Sequence, residues 1–291
     1  MIFDVSHRTL YRYESPVIQS KHLVHLSPRE APRQSMRHHA LFIEPAPAYR
    51  YDGHDAFGNP LVILDIEVPH KELVLHARST IEVVPPPAID AGATCPWDEL
   101  ADRTARPGAG IDLDVLQFRC PTRLTTPSLA IADYAAHSFT PGRPVLEAAM
   151  DLVRRIYHEF SFDPTATDVS TPIDRVFRQR RGVCQDFSHL TLACLRAKGV
   201  PARYVSGYIL TLPPPGLPRL VGADASHAWI SVWSPESGWV DLDPTNGIVV
   251  RDEHITIAYG RDYEDVSPIS GVLLGGAEHV VAVGVDVVPV R

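Results

Sequence analysis

Apolar and polar residues alternate from the first residues of the chain. Phe3, Val5, His7, Thr9, Tyr11 and Tyr13 fall on one side of a period-two pattern, which predicts a half-buried strand. The same period returns at Leu73, Leu75, Ala77, Ser79, Ile81 and Val83. Between them, Leu41 to Pro45 and Leu61 to Ile66 read as further strands, the second introduced by the turn Phe57-Gly58-Asn59-Pro60. Pro85, Pro86 and Pro87 then stop the pattern, because three residues without an N–H cannot continue a ladder. The reading is a β-rich module over residues 1–85 and a Pro- and Gly-punctuated connector over 86–125. A second unit then covers 126–291.

In that second unit the period changes. Leu146, Met150, Val153, Tyr157 and Phe160 follow Pro144 at helical spacing. A second helix is predicted from about Val183 to Lys198, closed by Gly199, with Phe187, Leu190, Cys194 and Ala197 on one face. Strand-like runs follow at 202–212, 228–233, 239–242 and 280–288, with Leu212 to Pro218 as a surface loop. Helices first and antiparallel strands afterwards predict an α+β domain.

Composition narrows the functional classes. Of 291 residues 45% are hydrophobic and 21% charged, which is globular, and 27 prolines point to many loops and edge strands. A formal net charge of -8 leaves no electrostatic footprint for nucleic acid or an anionic membrane. The basic cluster Arg175, Arg178, Arg180 and Arg181 reads as a solvated helix face or turn. Nothing resembles a signal peptide at the start, and no apolar run is long enough to span a bilayer. Cys95, Cys120, Cys184 and Cys194 form no C-x-x-C pair, so reduced thiols in a cytoplasmic protein are expected.

Candidate chemistry centres on Cys184, which follows a glycine turn and heads an apolar helix. A helix start presents free N–H groups and the positive end of the macrodipole, and both favour a thiolate. Downstream, Ser226-His227-Ala228-Trp229 offers a base, and Gly238 to Thr245 offers Asp243, with Asp241 as its rival, to orient that base. Cys95, Cys120 and Cys194 are expected to be structural. His22, His25, His38, His39, His54 and His70 are expected on strand and loop surfaces. Zinc on a Cys, His and Asp set is the weaker alternative, since the donors lack close pairing. Asp163 to Asp168 lacks the glycine and terminal glutamate of a calcium loop.

These blocks resemble a known family. Arg181-Gly182-Val183-Cys184-Gln185-Asp186-Phe187-Ser188-His189-Leu190, Gly199 to Tyr208, His227-Ala228-Trp229 and Trp239 to Thr245 are similar, in this order, to the bacterial transglutaminase-like cysteine proteins. Gly260 to Pro268 extends the match, and His7-Arg8-Thr9 with Asp55 to Asn59 resembles the N-terminal region of the same bacterial branch. The resemblance implies a papain-related α+β fold with Cys184, His227 and Asp243 as catalytic residues, and no cofactor or metal. Gln185, Tyr208, Trp229 and Asp262 are expected to bind substrate, with Asp265 bordering the cleft. It implies cysteine-dependent acyl transfer on peptide or isopeptide amides, hydrolytic by first choice and cross-linking by second. An idle peptide-binding module remains the alternative from another class.

Overall fold

The computed structural model describes residues 1–106, 110–211 and 226–290. The chain begins with β1 (Ile2–Val24), β2 (Gln34–Glu44), β3 (Tyr49–His54), β4 (Pro60–Ile66) and β5 (His70–Val83). Then come α1 (Trp97–Ala105), α2 (Leu113–Leu116), α3 (Leu129–Ala136), α4 (Val145–Glu159), β6 (Ser161–Phe162), α5 (Ile173–Gln179), β7 (Arg181–Gly182) and α6 (Cys184–Ala197). The last part is β8 (Ala202–Ile209), β9 (Ser226–Ser234), β10 (Gly238–Asp243), β11 (Ile248–Val249), β12 (His254–Gly260), α7 (Tyr263–Val266), β13 (Ile269–Gly275) and β14 (His279–Val290). Among the described residues no helix is long and apolar enough to cross a membrane. The loop expected from Leu212 to Pro218 lies outside the described residues.

β1 is the axle of a seven-stranded sheet. Its first half pairs with β5 and β14, and its second half with β4 and β13. The period-two reading of 73–83 holds: Leu73, Leu75, Ala77, Ser79, Ile81 and Val83 are all buried. The division at residue 126 does not hold in the fold. β13 and β14 return to the first sheet, and Val285 and Val287 share one apolar core with Phe3, Val5, Ile81 and the helices of the second unit. Period-two alternation marks a strand without naming its partner, which is why the C-terminal strands read as part of the second unit.

The connector is likewise structured. Leu100 of α1 and Phe118 are buried, Trp97 Nε1 donates to Thr140 O (2.8 Å), and Thr104 Oγ1 donates to Gly199 O (3.1 Å). Proline and glycine interrupt ladders, but they do not prevent a segment from packing between two units.

β8 to β12 form a separate five-stranded antiparallel sheet in the order β11-β10-β9-β8-β12. Ala202, Tyr204, Ile230, Val232, Val240, Leu242, Ile255 and Ile257 join the core built around α6. Gly207 permits a close crossing, since a Cβ there would stand 2.0 Å from Ile255 O and 2.6 Å from the Trp229 ring. The outer side of β12, an edge strand, is closed by two side-chain amides from the first unit. Gln34 donates to Thr256 O (2.6 Å) and accepts from Thr256 N (2.8 Å). Asn59 does the same at Tyr259, at 2.9 and 3.0 Å. These pairs replace the backbone partner that an edge lacks, and they fix the two sheets against each other.

Candidate active site

The segment before α6 explains the Gly-Val-Cys-Gln-Asp order. β7 pairs in parallel with β6 and leads Val183 into the N-cap position. The Val183 N–H donates to Asp186 Oδ2 (2.8 Å), which also accepts from Thr167 Oγ1 (2.6 Å). A Cβ on Gly182 would lie 2.6 Å from that same oxygen, so the glycine makes room for the capping carboxylate. Burial pushes the Asp186 carboxyl up, against the pull of its bonds from Thr167 and Val183. Cys184 follows as the first residue of α6, half-buried, with no earlier helical carbonyl to take its N–H.

His227 is the second residue of β9 and Asp243 the last of β10, which brings them to one end of the sheet beside the start of α6. His227 Nε2 donates to Asp243 Oδ2 at 2.7 Å, and the ring also hydrogen-bonds Cys184. With Nε2 held by the carboxylate, Nδ1 is the ring nitrogen left for the sulfur. Asp243 is fully buried. Its Oδ1 accepts from the N–H groups of Thr245 (2.8 Å) and Asn246 (3.2 Å), and its Oδ2 also accepts from Asn246 Nδ2 (2.7 Å).

These contacts set the charges. Burial pushes the Asp243 carboxyl up, but the bonds from His227, His254 and Asn246 outweigh it and hold the group well below the carboxylate range. Burial likewise lowers His227, and its bonds to Asp243 and Cys184 reverse this, raising it to about 10. The imidazolium is therefore the resting form at neutral pH. Cys95 is pushed up to about 11 and Cys194 to about 12, burial leading in both, in keeping with structural thiols. All four cysteines are free.

Cys184 opens into a cleft of about 330 Å³. Gln185, Tyr204, Ser206, Ser226, His227 and Tyr263 line one side. The other side comes from the seven-stranded sheet, through His7, Thr9 and Tyr11 of β1 and Val281 and Val283 of β14. Among the described residues the lining contains no Lys, Arg, Asp or Glu. Burial, with His76 adding, lowers His7 to about 4, so it is neutral, bonded to Tyr208 Oη (2.7 Å) and Thr9 Oγ1 (3.1 Å). Burial holds the Tyr204 hydroxyl far above its ordinary value, with nearby Cys184 adding, so it stays protonated.

The structure thus brings Cys184, His227, Asp243 and Gln185 together, and places the other expected substrate residues elsewhere. Trp229 is fully buried two residues along β9 from His227, closed off by Gly207 and His254, and its indole N–H donates to Asp241 Oδ2 (3.3 Å). Asp241, the rival acid, is thereby engaged away from His227. Tyr208 sits behind the cleft, orienting His7. Asp262 caps α7, accepting from Glu264 N (2.8 Å), and Asp265 pairs with Arg261 (2.9 Å). His22, His25 and His70 are buried, against the surface expected of them: His22 sits in β1, paired on both sides, His70 sits in β5, paired with β1, and His25, just past β1, hydrogen-bonds Ser267 O and contacts Asp55.

Two contributions are absent from the sequence reading. His254 heads β12, is buried, and donates from Nε2 to Asp243 Oδ2 (3.1 Å) as a second imidazole on the same carboxylate. Its only signal is a histidine opening the alternating run Ile255 to Ala258. The other is the cleft wall from β1 and β14, of which His7-Arg8-Thr9 gave the motif but not the place. His227, Asp243 and His254 also present ligand-type atoms within 4.8 Å of one another. Both imidazoles and the Asn246 amide donate to one oxygen, which is a hydrogen-bond fan rather than ligands disposed around an ion.

A cysteine at a helix start, beside a histidine and a buried aspartate on an antiparallel sheet, defines the papain-like class of folds. The chain belongs to the transglutaminase-like superfamily: residues 133–244 match that superfamily, and residues 3–82 match the bacterial transglutaminase-like N-terminal region. An uncharacterized protein of Mycobacterium tuberculosis is 42% identical over 99% of this chain and 92% of its own length. An uncharacterized protein of Mycobacterium leprae is 35% identical over 93% of this chain and 92% of its own. A protein-glutamine gamma-glutamyltransferase of Pseudomonas aeruginosa is 39% identical over 32% of this chain and 15% of its own length. The fold is shared with a crystal structure described as a candidate cysteine protease from Cytophaga hutchinsonii. That match has a TM-score of 0.75 at 19% identity, covering 100% of this chain and 92% of the other.

Proposed function

We propose that the protein transfers acyl groups from uncharged peptide or isopeptide amides through a thioester on Cys184, with water as the usual acceptor. The observation that carries this reading is the buried relay from Asp243 through His227 to Cys184, closed by the 2.7 Å bond between Nε2 and Oδ2. The Cys184 sulfur attacks the carbonyl carbon, and the electron pair moves onto oxygen. As the C–N bond breaks, the amine leaves with the proton from His227. Water then attacks the thioester and His227 takes its proton; the C–S bond breaks with its electron pair on the sulfur, the acid is released, and His227 is left protonated as at the start. Asp243 keeps the ring oriented and stabilises its cation.

The Cys184 N–H is one donor to the oxyanion, and the protonated Tyr204 hydroxyl is the second. A lining without Lys, Arg, Asp or Glu among the described residues suits an amide side chain or backbone better than a charged group. Transamidation is the second reading, favoured by the gamma-glutamyltransferase match. The two readings differ only in which nucleophile meets the thioester.

The test is incubation of the full chain with glutamine-bearing peptides, with and without a primary amine, followed by mass spectrometry of peptide and protein. Hydrolysis is expected to yield the acid and release ammonia or an amine, with a transient acyl adduct on Cys184. A new secondary amide formed only with added amine would reassign the acceptor. No adduct and no product across a varied peptide library would leave the idle binding module as the better reading.

A further inference from the structure

The side of the five-stranded sheet turned away from α6 faces a second cavity, of about 920 Å³, within the range of small-ligand sites. It shares no lining residue with the Cys184 cleft. Its walls include the rings of Phe57, Phe118 and Trp239 and the side chains of Val205 and Val250. Arg203 stands among them. Its guanidinium lies 3.6 Å from the Tyr259 ring centre and 4.3 Å from that of Trp239, and Arg29 covers the other face of Tyr259 at 3.8 Å. Such stacking fixes the plane of a guanidinium and leaves its edge, where the donors are, free.

Part of that edge hydrogen-bonds Tyr259, and Asp241 of the same lining attracts the guanidinium. Among the described residues Arg203 forms no ion pair, and its Nε is buried without a hydrogen-bond partner. At the inner end of the same cavity His254, 3% exposed, has a buried Nδ1 that also lacks a partner. Two unpartnered buried donors or acceptors on one cavity are unusual in a native fold and call for a group that satisfies them. Arg33 and Arg251 add positive charge at the lining. The acids there include Asp241, which holds the Trp229 indole N–H, and Glu30, which holds the Met36 N–H.

We propose that this cavity is a second binding site, taking a small carboxylate carried on an aromatic or branched apolar body, with Arg203 as the anchor for the carboxylate. The planar fork of arginine matches a carboxylate in two parallel hydrogen bonds, and the surrounding rings accept the apolar body. The bound ligand would lie against His254, one hydrogen bond from Asp243. The site does not depend on acyl transfer at Cys184.

Titration calorimetry on the full chain, with N-acetyl-L-phenylalanine and N-acetyl-L-phenylalanine amide as probes, tests this. The acid is expected to bind at one site, and the amide at least about tenfold more weakly. Arg203→Met, which keeps an unbranched stem but no cation, is expected to weaken the acid by a similar factor and leave the amide unchanged. Cys184→Ala is expected to bind the acid like the unaltered protein, which separates this cavity from the cleft. Absence of heat for the acid, equal affinity for acid and amide, or unchanged affinity in Arg203→Met would overturn the proposal. If Arg203→Met fails to fold by circular dichroism, the contrast between acid and amide on the unaltered protein decides alone.

Discussion

The two faces of the five-stranded sheet are built on opposite principles. The face on α6 is mostly apolar, with Ala202, Ile230, Val232 and Leu242 fully buried against a helix whose own Leu190, Leu192 and Leu195 are fully buried. The reverse face buries Asp243, His254 and the His227 ring, whose charge and hydrogen bonds would be costly without one another. Stability is concentrated on the first face, while the second spends some of it on orienting groups for chemistry. Because one strand supplies both faces by alternation, a single substitution tests one principle with little disturbance of the other.

The sharpest break in that comparison is Cys184→Ala. Thioester formation and turnover are expected to be lost, a decrease of about 10⁴-fold or more, with a thermal midpoint close to that of the unaltered protein. Asp243→Asn should cost about 10³- to 10⁴-fold in kcat, by misorienting His227 while keeping the shape of the residue. A large fall in midpoint with normal turnover in the folded fraction would place Asp243 with the stabilising face instead. Tyr204→Phe, which removes only a hydroxyl, is expected to lower kcat by about 10²-fold and leave KM within a few fold, as measured on a peptide amide.

On the other face, Leu192→Ala should lower unfolding free energy by about 2–5 kcal/mol in a urea titration. The alkylation rate of Cys184 in the folded fraction should stay the same; a changed rate would show that the two faces are coupled. A further expected effect is in pH. His227 is raised from 6.5 to about 10, so the stability it contributes is complete below pH 6.5 and is lost as pH rises toward 10. A plot of midpoint against pH should therefore fall over that window in the unaltered protein and flatten in His227→Gln. Asp243 contributes with the opposite sign: its stabilisation is present above the ordinary carboxylate range and disappears on strong acidification.

Much of this was legible in the sequence, for identifiable reasons. Cys184 stood out because a glycine, a turn and an apolar helix mark a helix start locally. His227 and Asp243 stood out because each closes or opens a short strand-like run. Trp229 follows His227 closely and Tyr208 and Asp262 lie in the blocks that resemble the family, but neither nearness nor a matched block says which side of a strand is enclosed. His254 is not legible in the sequence because its partner Asp243 belongs to another strand, and only the sheet order β11-β10-β9-β8-β12 carries β12 to the same end as β10.

The sequence by itself determined the elements, their periods, the helix-borne cysteine and the family, since these rest on local spacing and on residues read in order. The tertiary structure alone decided that the chain ends in the sheet where it begins. It also decided that β1 and β14 wall the cleft and that two imidazoles share one carboxylate. Strand pairing and burial are long-range choices among equally patterned segments, and their energies arise only when residues distant in sequence meet.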